Sequence, residues 1–454
     1  MEQTERVPPR SLARRGFHAS RRGRAGRSSR KHPYPIYSMK ILLICASYPP
    51  EFQGGTEVVV KAEARSLLAA GYSVQVVTGS NEVYEAGVVC EECVDGVQVL
   101  RLSRTAEEAL AADWIHPRLT DLVLREARDC DLVHLHHWSS ISGDLVRRLS
   151  PLVPVVVSLH DHFASCPRFF RTPSPGITCP PPGSVDNCAD CVADAVPELS
   201  RGALVNLLEE RTTSYRAELA AAAEVIAPSE HVRDCLAREL GISSATWRVV
   251  PHGLCREFAS QTREGSRAGP LSVLHFGNRS RIKGSLDLVR ALSHESGIKL
   301  VLAGREVEPG FDDLLRQEAG SLDLEIHGSY GASDLRRLAR SADLAAFPSQ
   351  AFESYGLVVE EALALGLPVW VSDRGALPEV LARAARFGCL PGGVLPAENP
   401  RAWRDALREL VKDPDKLQDA IARVPPSVRT AAQATGDLLD IFRPLTTRSN
   451  TPSP

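Results

Sequence analysis

The chain has 454 residues, 43% hydrophobic side chains and a formal net charge of −3, which is too long for one ordinary domain and apolar enough to bury a sizeable core. Charged residues at 24%, with 32 Gly and 32 Pro, exclude collagen-like, disordered and disulfide-dense chains. The charge is uneven: residues 1–38 hold nine Arg and one Lys against Glu2 and Glu5, a net of +8 that leaves −11 on the rest and argues against a nucleic-acid-binding body.

Residues 1–38 lack the apolar stretch of a secretory leader, and no run reaches the roughly 18 apolar residues of a membrane helix, so a cytoplasmic protein is expected. Met39 is the only methionine besides Met1 and directly precedes a strand-like run; the basic segment therefore reads as a disordered extension or a mis-called start. From Met39 onward, short apolar runs alternate with turns and amphipathic segments, the pattern of a parallel sheet covered by helices. Ile41 to Cys45 predicts a strand, Thr56 to Ala70 a helix stopped at Gly71, and Ser73 to Thr78 a second strand. Leu132 to Leu135, Val155 to Leu159 and Val225 to Ala227 read as further buried strands.

A second series runs through Leu271 to Phe276, Lys299 to Ala303, Leu324 to His327, Leu344 to Phe347 and Pro368 to Ser372. The expected class is α/β, with Rossmann-like doubly wound domains over 39–255 and 256–424 and a join between Pro251 and Pro270, where periodicity lapses. A helical segment, 425–445, and a disordered tail, 446–454, complete the chain.

In open α/β sheets, ligands bind beyond the carboxyl ends of strands, where Gly-rich turns and helix N-termini offer amides to anions. Gly54 and Gly55, after the first strand, let backbone approach a ligand just before a helix; such a pair is equally a simple turn. The segment Phe352 to Ala362 follows the strand Leu344 to Phe347 and the breaker Pro348-Ser349. It puts Glu353 at the mouth, Ser354, Tyr355, Gly356 and Leu357 at a helix N-terminus, and Glu361 two turns on if the helix is unbroken. A solvated helix with acidic first turns fits that spacing as well. His160 and Asp161 lie just past Val155 to Leu159, where a hydrogen-bonded structural histidine is the plain alternative. His134, His136 and His137 have the spacing of a strand's two faces and read as structural, with His136 the exception to watch.

The setting of Glu353 and Glu361 resembles the retaining glycosyltransferases of family 4, which have the two-domain GT-B fold. Ala342-Asp343 and Pro348-Ser349 precede the pair; Gly366 to Val369 and Ser372 to Glu379 follow it, and Ala227-Pro228-Ser229, Pro251-His252-Gly253, Phe276-Gly277 and Lys283-Gly284 lie upstream. The likeness covers roughly Met39 to Lys412. It implies two domains facing each other across a cleft, with the second binding a nucleotide diphosphate sugar and the first holding the acceptor. By the same resemblance Lys283 binds phosphate, Glu361 the ribose hydroxyls, Glu353 lies beside the transferred sugar, and His160 with Asp161 lies near that sugar. The family usually carries Arg after the glycine matching Gly277; here it is Asn278, and Arg279 and Arg281 are the candidates to replace that charge, if their side chains point the same way. It implies no catalytic metal or enzymic nucleophile, so Asp129 to Asp131 and Asp413 to Asp415 read as chance pairs. The C-terminal segment Ala431 to Phe442 is expected to cross back onto the first domain.

Cys166, Cys179, Cys188 and Cys191 fall in the loop 163–196, which is long enough to need something that orders it. A structural tetrathiolate zinc site is one expectation; a redox pair, an iron–sulfur cluster or four unrelated thiols are the others. Cys90 and Cys93 have knuckle spacing without a second pair nearby. The acceptor, whether glycan, lipid-linked or small-molecule, is not readable, and contact with the inner membrane face follows only for a lipid-linked one. Rival readings are another GT-B enzyme such as a nucleotide-sugar epimerase, and a catalytically silent nucleotide-sugar sensor or partner subunit.

Overall fold

The computed structural model describes residues 39–447 apart from 53, 81–89, 104–116, 140, 170, 172–178, 180–184, 256–268 and 387. The basic extension 1–38, the end of the tail and much of the join between the two series lie outside the described residues. No helix among those described is long and apolar enough to cross a membrane.

The first series gives β1 (Lys40–Cys45), α1 (Gly55–Ala69), β2 (Ser73–Ser80), β3 (Cys90–Val94), β4 (Val97–Ser103), α2 (Pro117–Ala127), β5 (Leu132–Leu135), α3 (Leu145–Leu149), β6 (Val155–Ser158), α4 (Val185–Val192), α5 (Arg201–Ala221), β7 (Glu224–Ala227), α6 (Glu230–Leu240) and β8 (Arg248–Val249). Ile41 to Cys45 are fully buried because helices cover both sheet faces, which is why the strand reads as an unbroken apolar run. The described strands of this sheet lie in the order β3-β4-β2-β1-β5-β6-β7-β8, parallel except for the β3–β4 hairpin. That hairpin was not expected. Its turn, Asp95-Gly96, has φ of 52° and 85°, the doubly positive pattern of tight hairpin turns, and it puts Cys90 and Cys93 on an edge strand opposite Arg101 and Gln98.

The second series gives β9 (Leu271–Phe276), a 3₁₀ turn (Arg281–Lys283), α7 (Ser285–Leu292), β10 (Ile298–Ala303), α8 (Phe311–Glu318), β11 (Asp323–His327), α9 (Ala332–Ser341), β12 (Leu344–Phe347), α10 (Leu357–Ala364), β13 (Val369–Ser372), α11 (Leu377–Arg383), β14 (Gly392–Leu395), α12 (Pro400–Lys412) and α13 (Pro414–Arg423). Its order, β11-β10-β9-β12-β13-β14, is wholly parallel and is that of a dinucleotide-binding sheet. The last helix, α14 (Ala431–Thr447), returns to the first lobe: Leu438, Leu439 and Phe442 share a core with Ile41, Val60 and Leu67. Thr446 and Thr447, expected in the tail, belong to this helix.

The chain thus passes between lobes twice, and the two passes are joined. Leu254 pairs with Thr430; the Leu254 amide donates to the Arg429 carbonyl at 2.7 Å and the Ala431 amide to the Leu254 carbonyl at 3.2 Å. Gly253 has φ of 79°, and a Cβ there would lie 2.6 Å from the Thr430 carbonyl oxygen, so only glycine fits. Gly253→Ala is expected to cost about 1–3 kcal/mol and lower the thermal unfolding midpoint by several degrees; an unchanged midpoint would contradict this packing.

Candidate active site

Strand order reverses at β1/β5 in the first sheet and at β9/β12 in the second, the points where crevices open in such sheets. Gly54-Gly55, His136, Lys283 and Glu353 lie past these four strands, and His160-Asp161 lies past β6. Beyond β1, Arg101 of β4 is buried and donates to the carbonyls of Tyr48 and Pro49, both at 2.9 Å, while pairing with Glu51 and Glu92. It fixes the loop that leads to Gly54, the N-cap of α1. A Cβ on Gly55 would lie 3.9 Å from Cδ1 of Leu357, so the two glycine-containing turns meet across the lobes.

Beyond β9 and β12, Lys283 Nζ lies 2.7 Å from Glu353 Oε1, and Ser349 Oγ donates to the same oxygen at 2.8 Å. Burial alone pushes the Glu353 carboxyl upward; the Lys283 charge and the hydrogen bonds from Lys283 and Ser349 outweigh it and hold the group below its ordinary value. Gly375, with φ of 61°, backs this loop: a Cβ there would lie 2.3 Å from both the nitrogen and the oxygen of Glu353. The Ala376 amide donates to the Glu353 carbonyl at 2.7 Å.

Two expectations about this region are corrected. Helix α10 starts at Leu357 with Gly356 as a left-handed N-cap, φ 95°, so Glu353 precedes the helix and does not share a continuous face with Glu361. The glycine resets the backbone direction between them. Glu360 and Glu361 are buried; Glu360 accepts from the Tyr355 hydroxyl at 2.7 Å, and burial pushes its carboxyl up to about 7. Arg279 does not restore the missing charge. Its guanidinium is 2% exposed, forks onto Asp312 at 2.7 and 2.6 Å, and donates to the carbonyls of Gly304 and His327. Arg281 pairs with Glu308, and Asn278 is exposed.

Beyond β5 and β6, His136 Nδ1 and His160 Nε2 are 2.9 Å apart. The His160 ring stacks on His252 at 5.1 Å and 16°, and His252 lies against Tyr355 of the second lobe at 4.9 Å. Asp161 accepts from the Phe163 amide at 2.8 Å and faces His137 at 3.4 Å, which shapes the loop after β6. Ser229 Oγ donates to the Ser354 carbonyl at 2.8 Å, a second direct link between lobes. Sequence reasoning missed Glu63, Arg101 and Glu379 as partners here. For Glu63 a signal existed: it shares the buried face of α1 with Val60, Ala64 and Leu67.

The four loop cysteines are not assembled into a metal site. Among the described residues, the groups of potential ligands within 4.8 Å of one another are Glu63, His134, His136 and His162, Cys235, Glu239; Cys166, Cys179, Cys188 and Cys191 form none. Cys179 Sγ instead accepts from Arg171 at 3.1 Å, and Cys188 and Cys191 sit on the short helix α4. Burial pushes the Cys166 thiol up to about 11 and raises Cys188, so both are neutral thiols as they stand. Of the Asp pairs, Asp131 accepts from the Lys40 amide at 2.7 Å, at the end of the sheet away from the crevice, and Asp413 and Asp415 flank the start of α13.

Burial pushes His134, His136 and His252 down to about 3 and His162 and His275 to about 4, and lowers His160 and His231. Unfolding frees these rings to bind protons below their ordinary value of 6.5, so the unfolded chain gains protons and stability falls as the pH drops through that range. Glu57, Glu63, Glu360 and Asp287, raised by burial, act oppositely: their contribution falls as the pH rises from the unfolded value. Seven rings outnumber four carboxyls. The thermal midpoint is therefore expected to fall steeply from pH 7 to pH 5, with about 1.4 kcal/mol per pH unit for each net proton; a flat or rising midpoint would show that these rings are not buried neutral.

Residues 53–258 match the family model described as Glycosyltransferase Family 4, and residues 258–424 match Glycosyl transferases group 1. The chain is 28% identical over 394 residues to the D-inositol 3-phosphate glycosyltransferase of Kineococcus radiotolerans, spanning 80% of this chain and 83% of that one. Among solved structures, sucrose-phosphate synthase from Thermosynechococcus elongatus is similar with a TM-score of 0.63 at 19% identity, over 90% of this chain and 100% of the other. Anabaena HepE in complex with UDP-glucose gives 0.58 at 17% identity, over 90% and 100%. With both lobes matched in order by glycosyltransferase models, the chain belongs to the family 4 glycosyltransferases and has their GT-B fold.

Proposed function

We propose that this glycosyltransferase is a retaining, metal-independent hexosyltransferase that moves a sugar from a nucleoside diphosphate hexose to an acceptor hydroxyl in the crevice between the lobes. The observation that carries this reading is the Lys283–Glu353 pair, held at 2.7 Å beyond the second switch point. As the bond from the anomeric carbon to the diphosphate breaks, negative charge grows on the leaving oxygen, and a fixed cation with oriented amides stabilises it. Lys283 is that cation. With Asn278 uncharged and Arg279 committed to Asp312, Lys283 carries the larger share, aided by the amides opening α10.

Glu353 borders the transferred sugar, Glu361 accepts from the ribose hydroxyls, and His160 faces the sugar from the first lobe. Gly55 keeps the backbone clear beside Leu357 for the donor, and Gly54 caps the helix that follows. The acceptor oxygen attacks the face that the diphosphate leaves; the new carbon–oxygen bond forms as the old one breaks, and the acceptor proton passes to a leaving phosphate oxygen. Configuration is retained without an enzymic nucleophile. Similarity to D-inositol 3-phosphate glycosyltransferases makes a polyol phosphate the first acceptor class to test, and UDP-glucose, bound in a GT-B neighbour, makes UDP-hexoses the first donors.

Thermal midpoints measured with UDP, ADP, GDP and their hexose conjugates are expected to rise with one nucleotide class; no rise with any would remove the reading. With that donor, Lys283→Ala and Glu353→Ala are each expected to lower turnover by about 10²–10³, measured as nucleoside diphosphate release. Full transfer in Glu353→Ala would overturn its role.

A further inference from the structure

Behind His160 lies a run of buried polar groups that the reaction above does not use. Glu63, on α1, is 4% exposed; its Oε1 lies 2.8 Å from His134 Nδ1 and its Oε2 3.5 Å from His136 Nε2. His134 Nε2 meets Ser158 Oγ at 2.8 Å, and His136 Nδ1 meets His160 Nε2 at 2.9 Å. His136 Nε2 has no hydrogen-bond partner apart from this longer approach to Glu63. The group borders a cavity lined by Glu63, His136, His160 and His252 and by Thr435 and Leu438 of α14.

A neutral imidazole carries one N–H and one lone pair. Burial keeps His134, His136 and His160 neutral, so each ring must choose. Burial pushes the Glu63 carboxyl up to about 7, so the group is ionised above that pH; there a lone pair on His136 Nε2 would face the carboxylate across 3.5 Å in a site shielded from water, a repulsive contact, whereas an N–H is attracted. With the proton on Nε2, His136 Nδ1 accepts, and at 2.9 Å the donor must be His160 Nε2–H. The remaining nitrogen, His160 Nδ1, is then a lone pair. On the other arm, His134 Nδ1–H donates to Glu63 and its Nε2 accepts from the Ser158 hydroxyl. Stacking on His252 holds the plane of the His160 ring.

We propose that Glu63 is a positioning residue which, through His136, fixes His160 in the Nε2–H tautomer, so that His160 Nδ1 meets the substrate as a hydrogen-bond acceptor. The specificity consequence rests on the donor-site reading of His160: the ring selects a hydroxyl, a donor, on the sugar and rejects an analogue in which that hydroxyl is absent or replaced by an acceptor. The tautomer itself rests on the protein alone. A buried carboxylate that only filled space on this face of α1 would be replaceable by an apolar side chain at little loss; one that orders three rings is not.

Long-range ¹H–¹⁵N spectra of ¹⁵N-histidine-labelled protein at about pH 9, where Glu63 is ionised, with His160 assigned by its loss in His160→Gln, read the tautomer without donor or turnover. The wild type is expected to show His160 protonated at Nε2, and Glu63→Gln, whose amide turns either an oxygen or an NH₂ to His136, a mixture of tautomers. Protonation of wild-type His160 at Nδ1 would overturn the proposal even if the variant failed to fold, as would an unchanged tautomer in Glu63→Gln. With the donor class found above, Glu63→Gln is expected to lose about tenfold in kcat, the value of one hydrogen bond, with nucleoside diphosphate binding unchanged. Unaltered kcat despite mixed tautomers would sever the link to the sugar, whereas absence of nucleotide binding by the wild type would overturn the donor-site reading and leave the tautomer result standing.

Discussion

A helix of the first lobe is capped by a carboxylate of the second. The amides of Glu230 and His231, which open α6, donate to Glu379 of α11 at 3.0 and 3.1 Å. These amides have no partner inside their own helix, and an anion is favoured at that end of the helix dipole. Beside them Ser229 accepts from the Val232 amide at 3.2 Å and donates to the Ser354 carbonyl at 2.8 Å. One seam therefore ties the end of β7 to the loop between Glu353 and Leu357. The separation of His160 from the Lys283–Glu353 pair is set by that seam and by the joined passes at Leu254 and Thr430.

Under the proposed reaction, the charges of Lys283 and Glu353 are partnered before the donor arrives. Lys283 offers three N–H donors and Glu353 takes one direction of approach, so the pair orients the ammonium without exhausting it. Glu353 in turn is held by Ser349 and by the close backing of Gly375. A loose lysine would lose rotamer freedom on meeting a diphosphate; this one has lost part of it already. Such preorganisation is what makes a fixed charge effective against a transition state.

How much of this was legible follows from what each signal encodes. Strands such as Ile41 to Cys45 and Leu271 to Phe276 stood out because burial on both faces demands an unbroken apolar run, and they fall within a residue or two of their expected bounds. The hairpin β3–β4 did not: β3 alternates half-buried and exposed residues at a sheet edge, without the apolar run that marks a buried strand. The Glu353 and Glu361 motif was visible, but the left-handed turn at Gly356 that separates them has no signature in spacing. Arg279 carried the right charge in the right interval, yet its direction is set by Asp312, 33 residues further on, which local sequence does not reveal. The loop cysteines fail for the same reason, since spacing states proximity along the chain and not where a thiol points.

The two lobes also differ in the kind of polarity they bring to the crevice. The second contributes formal charges and helix-start amides around Lys283, Glu353 and α10. The first contributes rings kept neutral by burial, His136, His160 and His252 of the linking segment, with the Glu63 carboxylate set behind them. A nucleoside diphosphate sugar has the same asymmetry: its charge lies on the diphosphate, and its sugar is a set of neutral hydroxyls. Uncharged donors and acceptors suit hydroxyls, because an unmatched charge beside the sugar would be left desolvated as the lobes meet. Under the proposed reaction, keeping the histidines neutral is thus part of recognition as well as of packing, and the acid sensitivity of the fold is its physical counterpart.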